Sequence, residues 1–251
     1  MYIDTHCHLS NDDYDDIDEV ILENRKAGIE KIIISGCTMD SIKESLELSF
    51  KYDDVYLTIG FHPSEADLVS DFDLSFLENH LKEKKVVGIG EIGLDYHYGK
   101  ENMEKQKELF IRQMMLADKY HLPVVVHSRD AFLDTITILK QFPNVIGDIH
   151  CFNGSLECAR EYLSIGYFLG IGGVLTFKNC KLFEVIEKIG LDCILLETDS
   201  PYLTPEPFRG KKNSSKYISF VSKKIGDILD IKQEEVALKT SYNANRLFDF
   251  Y

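Results

Sequence analysis

The sequence predicts a single-domain (β/α)8 TIM barrel of the α/β class, and three observations support this prediction. Eight short β-branched or apolar runs alternate with helical stretches, and several runs are nearly continuous in hydrophobic residues, as doubly buried strands are. The length of 251 residues suits one large α/β domain. A doubly wound open sheet, the main rival, requires a glycine-rich phosphate loop after the first strand, and the sequence has none there.

The predicted elements follow each other along the whole chain without a linker, a low-complexity stretch or a short repeat, so residues 1–251 are predicted to form one domain. A helix is expected over 15–27, with Gly28 as its C-terminal stop. The longest helix is expected over 101–121 and ends before Pro123. The predicted strands are 2–6, 31–35, 55–60, 86–91, 123–127, 145–150, 166–171 and 193–199.

The composition is that of an ordinary globular protein, with 44% hydrophobic and 28% charged residues. No apolar run approaches the roughly 20 residues that span a bilayer, and Asp4 and His6 interrupt any secretory leader. Six cysteines lie scattered without a Cys-x-x-Cys pair, which favours reduced thiols in the cytoplasm. The net charge of −14 argues against a protein that coats nucleic acid with a broad basic surface.

Two histidines at the end of the first strand are the first candidate ligands. His6 and His8 are two residues apart, so on a strand they share a face while Cys7 points away. Converging imidazoles can hold a divalent metal, although two polar residues near a terminus can also be bystanders.

Histidines and carboxylates recur at the ends of other predicted strands, and in a barrel these ends meet at one mouth. Four imidazoles and two carboxylates exceed what one tetrahedral ion with an open position needs, but they suit two ions. The sequence therefore predicts two divalent metal ions per chain, with zinc, manganese and magnesium all open. The predicted ligands are His6, His8, Glu91, His127, His150 and Asp199.

Several motifs in this order resemble those of the TatD family of metal-dependent deoxyribonucleases, within the amidohydrolase-type barrels. The resemblance runs from the first residues to Asn243-Ala-Asn-Arg-Leu-Phe248 and implies the same six ligands, with Glu91 bridging the metals. The motifs are Asp4-Thr-His-Cys-His8, Gly60-Phe-His-Pro63, Gly90-Glu-Ile-Gly-Leu-Asp-Tyr96, His127-Ser-Arg129, His150-Cys-Phe-Asn-Gly154 and Glu197-Thr-Asp-Ser-Pro-Tyr-Leu203.

The resemblance implies hydrolysis of phosphodiester bonds in DNA by a metal-activated water, with Asp199 and Glu91 as the catalytic residues. Asp199 is the candidate base. Because the protein is acidic, we expect a narrow site for single strands or frayed ends, hence exonuclease activity. The sequence leaves the oligomeric state open, and a monomer is favoured. The same centre could instead hydrolyse an ester or amide, for example as a D-aminoacyl-tRNA deacylase, or belong to an inactive binding module.

Substrate contacts are predicted at four positions near the strand ends: His62, Arg129, Arg209 and Lys211. His62 could equally make a structural hydrogen bond, and Arg129 a surface salt bridge. After Arg209-Gly-Lys-Lys-Asn213 the family usually continues with Glu-Pro, whereas this chain has Ser214-Ser215. We expect this loop to line the substrate mouth, so the change puts substrate preference in question.

Overall fold

The computed structural model describes residues 1–97, 99 and 101–250, and it confirms the predicted barrel. Eight parallel strands pair in chain order, each with the next. The strands are β1 Tyr2–Cys7, β2 Ile29–Gly36, β3 Val55–Ile59, β4 Val86–Asp95, β5 Val124–Arg129, β6 Gly147–Ile149, β7 Phe168–Ile171 and β8 Ile194–Leu196. The ends of β1 and β8 meet where Thr5 Oγ1 donates to Leu196 O at 3.1 Å, which brings the barrel close to closure.

Helices surround the strands. They are α1 Ile17–Lys26, α2 Met39–Lys51, α3 Asp71–His80, α4 Met103–Tyr120, α5 Phe132–Leu139, α6 Leu156–Ser164, α7 Leu182–Ile189, α8 Ile218–Leu229 and α9 Gln233–Leu247. Short 3-10 turns cover Pro63–Glu65, Gly173–Thr176 and Ser215–Tyr217. Within the described residues, no helix is both long and apolar enough to cross a membrane.

Local sequence signals explain the helix ends. The Asp16 side chain accepts a hydrogen bond from Glu19 N and caps the start of α1. The helix ends at Lys26, and Gly28 follows with φ +85°, a left-handed conformation that glycine adopts at little cost. The predicted helices over 15–27 and 101–121 are thus confirmed to within two residues at each end as α1 and α4.

The end of the barrel where the strands begin is covered by the last turn of α9 and the residue that follows it. Leu247 and Phe248 pack with Val87, Val125 and Phe168, which lie near the N-terminal ends of their strands. Burial of such apolar side chains stabilises the barrel by roughly 1.5–3 kcal/mol each. The opposite end, where the strands finish, stays open.

The strand bounds differ from the sequence prediction by up to four residues, and the differences in β4, β6 and β8 change where a predicted ligand lies relative to its strand. β4 does not end at Glu91 but continues to Asp95, so Glu91 lies in the middle of the strand. β6 and β8 have only three residues each, so His150 directly follows β6 and Asp199 lies in the loop after β8. The strands were predicted from continuous hydrophobic runs. In β4 the strand continues past the polar Glu91, whereas at β6 and β8 it ends before the polar residues that were assigned to it.

Candidate metal centre

The six predicted ligands converge at the open end of the barrel. His6 lies in β1, and His8 is the first residue after this strand. The Nε2 atoms of the two rings are 3.3 Å apart. The His150 ring stacks on His6 with a centroid distance of 3.6 Å. Side chains from five different strands or strand ends therefore meet in one small volume, as the strand-end argument predicted.

Glu91 lies between two pairs of histidines. Its Oε2 atom is 3.6 Å from His6 Nε2 and 3.8 Å from His8 Nε2. Its Oε1 atom is 2.7 Å from His127 Nδ1 and 3.7 Å from His150 Nε2. Each carboxylate oxygen thus faces its own pair of imidazoles, the arrangement expected of a carboxylate shared between two cations.

Asp199 lies on the open side of the cluster. Its Oδ1 atom is 3.5 Å from His8 Nε2, 3.8 Å from His6 Nε2 and 3.9 Å from His150 Nε2. The residue has φ +52°, which is uncommon for a non-glycine residue, and its backbone N donates to His6 O at 3.0 Å. The side chain is held at the mouth, where it can reach both a bound ion and an incoming substrate.

The second ring nitrogen of each of the four histidines contacts a protein oxygen, which fixes the ring and leaves one nitrogen for the centre. The contacts are His6 Nδ1 with Ser35 Oγ at 3.1 Å, His8 Nδ1 with Ser35 O at 3.1 Å, His127 Nε2 with Asp95 Oδ2 at 3.1 Å and His150 Nδ1 with Glu197 Oε2 at 3.2 Å. Metal-binding histidines characteristically use carboxylate and carbonyl partners in this way.

Sequence reasoning missed Glu197 and Asp95 as supports of the cluster. Glu197 is fully buried, and its other oxygen accepts from Cys151 N at 2.8 Å. Gly170 leaves the space for it, because a Cβ there would lie 2.2 Å from Glu197 Oε2. The available signal was position: each carboxylate is on the same strand or loop as a predicted ligand, Glu197 two residues before Asp199 and Asp95 four after Glu91.

The electrostatics of the cluster fit a cation. Burial alone would lower the pKa of His150, but Glu197 and Glu91 raise it to about 10. Burial likewise opposes protonation of His127, yet Asp95 and Glu91 raise its pKa to about 9. Although burial disfavours the Glu91 carboxylate, the surrounding histidines hold its pKa well below the usual range. The carboxylates therefore attract positive charge, which a divalent ion supplies in place of the ring protons.

His62 occupies the edge of the centre. Its Nδ1 accepts from Ser64 N at 3.1 Å, and its ring packs edge-on against His127 with centroids 4.6 Å apart. Its Nε2 lies 3.8 Å from Glu91 Oε1. Burial lowers the pKa of His62 to about 4, so the ring is neutral near pH 7. The structural hydrogen bond is thus present at Nδ1, while Nε2 faces the centre and the substrate contact stays a prediction.

The approach to the centre is a cavity of about 320 Å³, here called the mouth, lined by His127, Arg129, Asn153, Asp199 and Tyr202 among others. Arg129 is exposed there, at the C-terminal end of β5. Tyr202 is 58% exposed and its ring is 6.1 Å from that of His8. The mouth is therefore bordered by one cationic and one aromatic side chain.

A second, more basic cavity adjoins the mouth through Tyr202 and Leu203. This basic-loop cavity of about 510 Å³ is lined by Arg209, Lys211 and Lys212 together with Asp13. The guanidinium of Arg209 lies 3.9 Å from the ring centroid of Phe177, a cation–π contact that orients it. Two of the four predicted substrate contacts, Arg209 and Lys211, thus lie together beside the mouth.

The expectation that Ser214 and Ser215 line the mouth is wrong. Both are buried, and Ser214 Oγ donates to Asn24 Oδ1 at 2.8 Å beneath the loop. The Lys216 side chain also points toward α1, where its Nζ atom is 2.6 Å from Glu23 Oε2. The loop is drawn inward because Asn213 Nδ2 donates to Thr198 O at 2.8 Å, so the two serines contact the scaffold and not the approach to the centre.

Comparison with known proteins places the chain among metal-dependent hydrolases. The family described as TatD related DNase matches residues 3–249. An uncharacterized metal-dependent hydrolase of Bacillus subtilis, YabD, is 42% identical over 252 residues, covering 99% of each chain. A second such hydrolase, YcfH of Escherichia coli K12, is 33% identical over 253 residues, covering 98% of this chain and 95% of its own.

Solved structures share the fold. The crystal structure of YjjV, a TatD homologue from Escherichia coli K12, matches with a TM-score of 0.91 and 31% identity, covering 99% of this chain and 98% of that one. A TatD family hydrolase from Entamoeba histolytica matches with a TM-score of 0.88 at 24% identity, covering 100% of this chain and 98% of that one. The barrel and its chain order are common to all three.

Proposed function

The chain belongs to the TatD related DNase family and is a metal-dependent hydrolase, and we propose that it cleaves phosphodiester bonds in DNA, removing nucleotides from the ends of single strands. The observation that carries the proposal is the position of Glu91, whose two oxygens face two separate pairs of histidines. Centres with two cations serve displacement at phosphorus in nucleases and phosphatases, and the family description, TatD related DNase, favours this use over hydrolysis of an amide.

We assign the cations to two groups of residues. His6, His8 and Glu91 form one group whose ligand atoms lie within 4.8 Å of one another, and Glu91, His127 and His150 form the other. Asp199 joins the first group through its contacts with His6 and His8. Imidazole and carboxylate donors suit zinc and manganese, while a phosphodiester substrate favours magnesium. When bound, such ions activate water and offset the negative charge that develops on the phosphoryl group.

The chain's own residues then have separate tasks. Asp199, at the open side of the cluster, accepts a proton from the attacking water. Glu91 links the two groups of ligands. Glu197 fixes the orientation of the His150 ring, and Asp95 fixes that of the His127 ring. His62 faces Glu91 through Nε2 and can donate a hydrogen bond to a phosphate oxygen, because its Nδ1 accepts from Ser64 N.

Only a few side chains near the mouth bind the substrate. The net charge of −14 repels a polyanion at a distance, so affinity must come from side chains at the mouth. Arg129 borders the mouth, and Arg209 and Lys211 line the basic-loop cavity beside it. A few such contacts hold a few phosphates, which suits a strand end better than a wrapped duplex. Six free cysteines agree with a reducing compartment, so we place the reaction in the cytoplasm.

The test is a time course on a linear and a circular single strand of the same sequence. End-directed cleavage predicts loss of terminal nucleotides from the linear strand while the circle persists. Each phosphate contact adds about 0.7 to the salt slope on single strands, so we expect a shallow salt dependence. Equal cleavage of the circle would contradict the end-directed mode. Cleavage of neither, with turnover of a D-aminoacyl-tRNA, would favour the ester-hydrolase alternative.

A further inference from the structure

A third cavity adjoins the mouth on the side away from the basic loop. This β5–β6 pocket, of about 540 Å³, lies between the loops that follow β5 and β6. Its volume falls within the roughly 300–1,000 Å³ typical of small-molecule sites. Ser128, His150, Cys151 and Asn153 line both this pocket and the mouth, so the two cavities are immediate neighbours.

The lining of the β5–β6 pocket combines polar side chains with an aromatic cluster, in which Phe152 and Tyr162 are buried and Phe132 is partly exposed. Phe132 packs edge-on against Tyr162 with a centroid distance of 5.3 Å, and Phe152 packs edge-on against the same ring at 6.4 Å. Leu133 also lines the pocket and is 75% exposed, so it offers apolar surface to a ligand there. Flat unsaturated rings bind well to such walls, since base–aromatic stacking is tolerant of sequence.

The pocket differs in charge from the basic-loop cavity. Asp130 and Asp134 line it, Asp134 is paired with Lys107 at 2.9 Å, and among the described residues of its wall there is no lysine or arginine. The pocket therefore offers a phosphate no cationic partner in its wall, whereas a neutral base needs none. The basic-loop cavity, lined by Arg209, Lys211 and Lys212, is suited to phosphates instead.

We propose that the β5–β6 pocket binds the nucleobase of the nucleotide next to the cleaved bond, while the remaining strand runs toward the basic loop. This inference rests on the proposed cleavage of DNA. The cleaved phosphodiester lies at the mouth between the two cavities, so the strand crosses the centre in one direction. Asn153, exposed and shared by pocket and mouth, offers an amide donor and acceptor to the edge of the base.

The first experiment compares two single strands that differ only in whether the terminal nucleotide carries a base. For the wild-type protein we expect the KM of the base-free end to be about tenfold higher, with similar kcat, because only stacking is lost. Phe132→Ala and Leu133→Ala should reduce this ratio to about threefold or less. Leu133 is largely exposed, so its variant tests the wall without disturbing the core. Leu238→Ala, equally exposed at 75% on α9, is the matched control and should keep the wild-type ratio.

The outcomes separate the two proposals. Cleavage of the base-bearing strand reports the proposed function, and the ratio of the two KM values reports the pocket. A ratio near one in the wild-type protein, or an unchanged ratio in both variants, would overturn the pocket assignment while leaving the nuclease activity in place. No cleavage of the base-bearing strand would remove the proposed function itself.

A binding experiment tests the pocket without turnover. Cys158 lines the pocket and is partly exposed, so its alkylation by iodoacetamide, followed by peptide mass spectrometry, reports occupancy. Thymidine 5′-monophosphate or 3′-monophosphate should slow this alkylation at least about fivefold, whereas deoxyribose 5-phosphate and inorganic phosphate should not. Cys193, at the N-terminal end of the barrel before β8, is the internal control. Equal rates with and without saturating thymidine monophosphates would refute the assignment.

Discussion

Replacing Glu197 by glutamine should weaken metal binding while the barrel stays folded. Glu197 Oε1 accepts from Cys151 N at 2.8 Å, and Oε2 contacts His150 Nδ1 at 3.2 Å. In the variant the amide oxygen can keep the first contact, so the amide NH2 faces the ring. His150 Nδ1 must then accept, which moves the proton to Nε2, the nitrogen that faces Glu91. A protonated Nε2 cannot bind a cation.

The expected loss can be estimated from this geometry. Changing the partner of a metal-binding histidine typically lowers metal affinity about 10–100-fold, or about 1.4–2.7 kcal/mol. We expect the upper end, because Glu197 is 0% exposed and water has no access to take over the contact. The space is also closed on the other side, where a Cβ at Gly170 would lie 2.2 Å from Glu197 Oε2.

The assay is competition between chelated protein and a fluorescent chelator for Zn²⁺ or Mn²⁺, with circular dichroism to verify folding. The matched control is Asp54→Asn, which breaks the 2.6 Å ion pair with Arg25 at the N-terminal end of β3 and should leave metal affinity unchanged. Wild-type affinity in folded Glu197→Gln, or an equal loss in Asp54→Asn, would refute the positioning role.

Three further predictions concern the centre and the basic loop. Glu91→Ala should lower metal content, measured by elemental analysis, more than any single histidine change, because both of its oxygens face ligand pairs. Asp199→Asn should keep the fold and some metal but lose at least about 100-fold in turnover of DNA, the scale of a general base. Replacing Lys211 and Lys212 together by alanine should raise the KM for single-stranded DNA more than it lowers kcat, since these side chains would position phosphates.

Each of these predictions has a control or a contrary outcome. Unchanged metal content in Glu91→Ala would exclude the bridging role. Near-normal turnover by Asp199→Asn would transfer the role of base to another residue, with His62 the next to test because its Nε2 faces Glu91. For the lysine pair, the control is alanine at Lys223 and Lys224, two exposed lysines on α8, and an equal rise in KM there would show that net charge alone matters.

Much of the fold followed from local sequence signals. The strands could be predicted because both of their faces are buried, which gives short continuous apolar runs such as Ile32–Ile34 in β2. The end of β4 could not, because Glu91 and Asp95 are polar residues that point to the centre and resemble the start of a loop. Pairing of β4 with β5 as far as Arg129 extends the strand past the point where its hydrophobic pattern ends.

The predicted ligands converge in the structure because the barrel brings every strand end to one mouth. Their supporting carboxylates share strands or loops with the ligands, but the sequence does not show which ring each one contacts, since Glu197 lies two residues before Asp199 and turns toward His150, 47 residues away. The loop with Ser214 was misplaced for a similar reason, because its path depends on a contact with Asn24, 190 residues away. The β5–β6 pocket likewise arises from the packing of two loops.

The central claim, metal-dependent hydrolysis of DNA at this cluster, is tested most directly by removing the metal and restoring it. Chelated protein is incubated with end-labelled single-stranded DNA, alone and with Mg²⁺, Mn²⁺ or Zn²⁺ added, beside the Asp199→Asn variant. We predict no cleavage by the chelated protein, recovery with at least one of the ions, and at least about 100-fold slower cleavage by the variant. Cleavage that persists in excess chelator, or restored metal content without any cleavage of DNA, would contradict the claim.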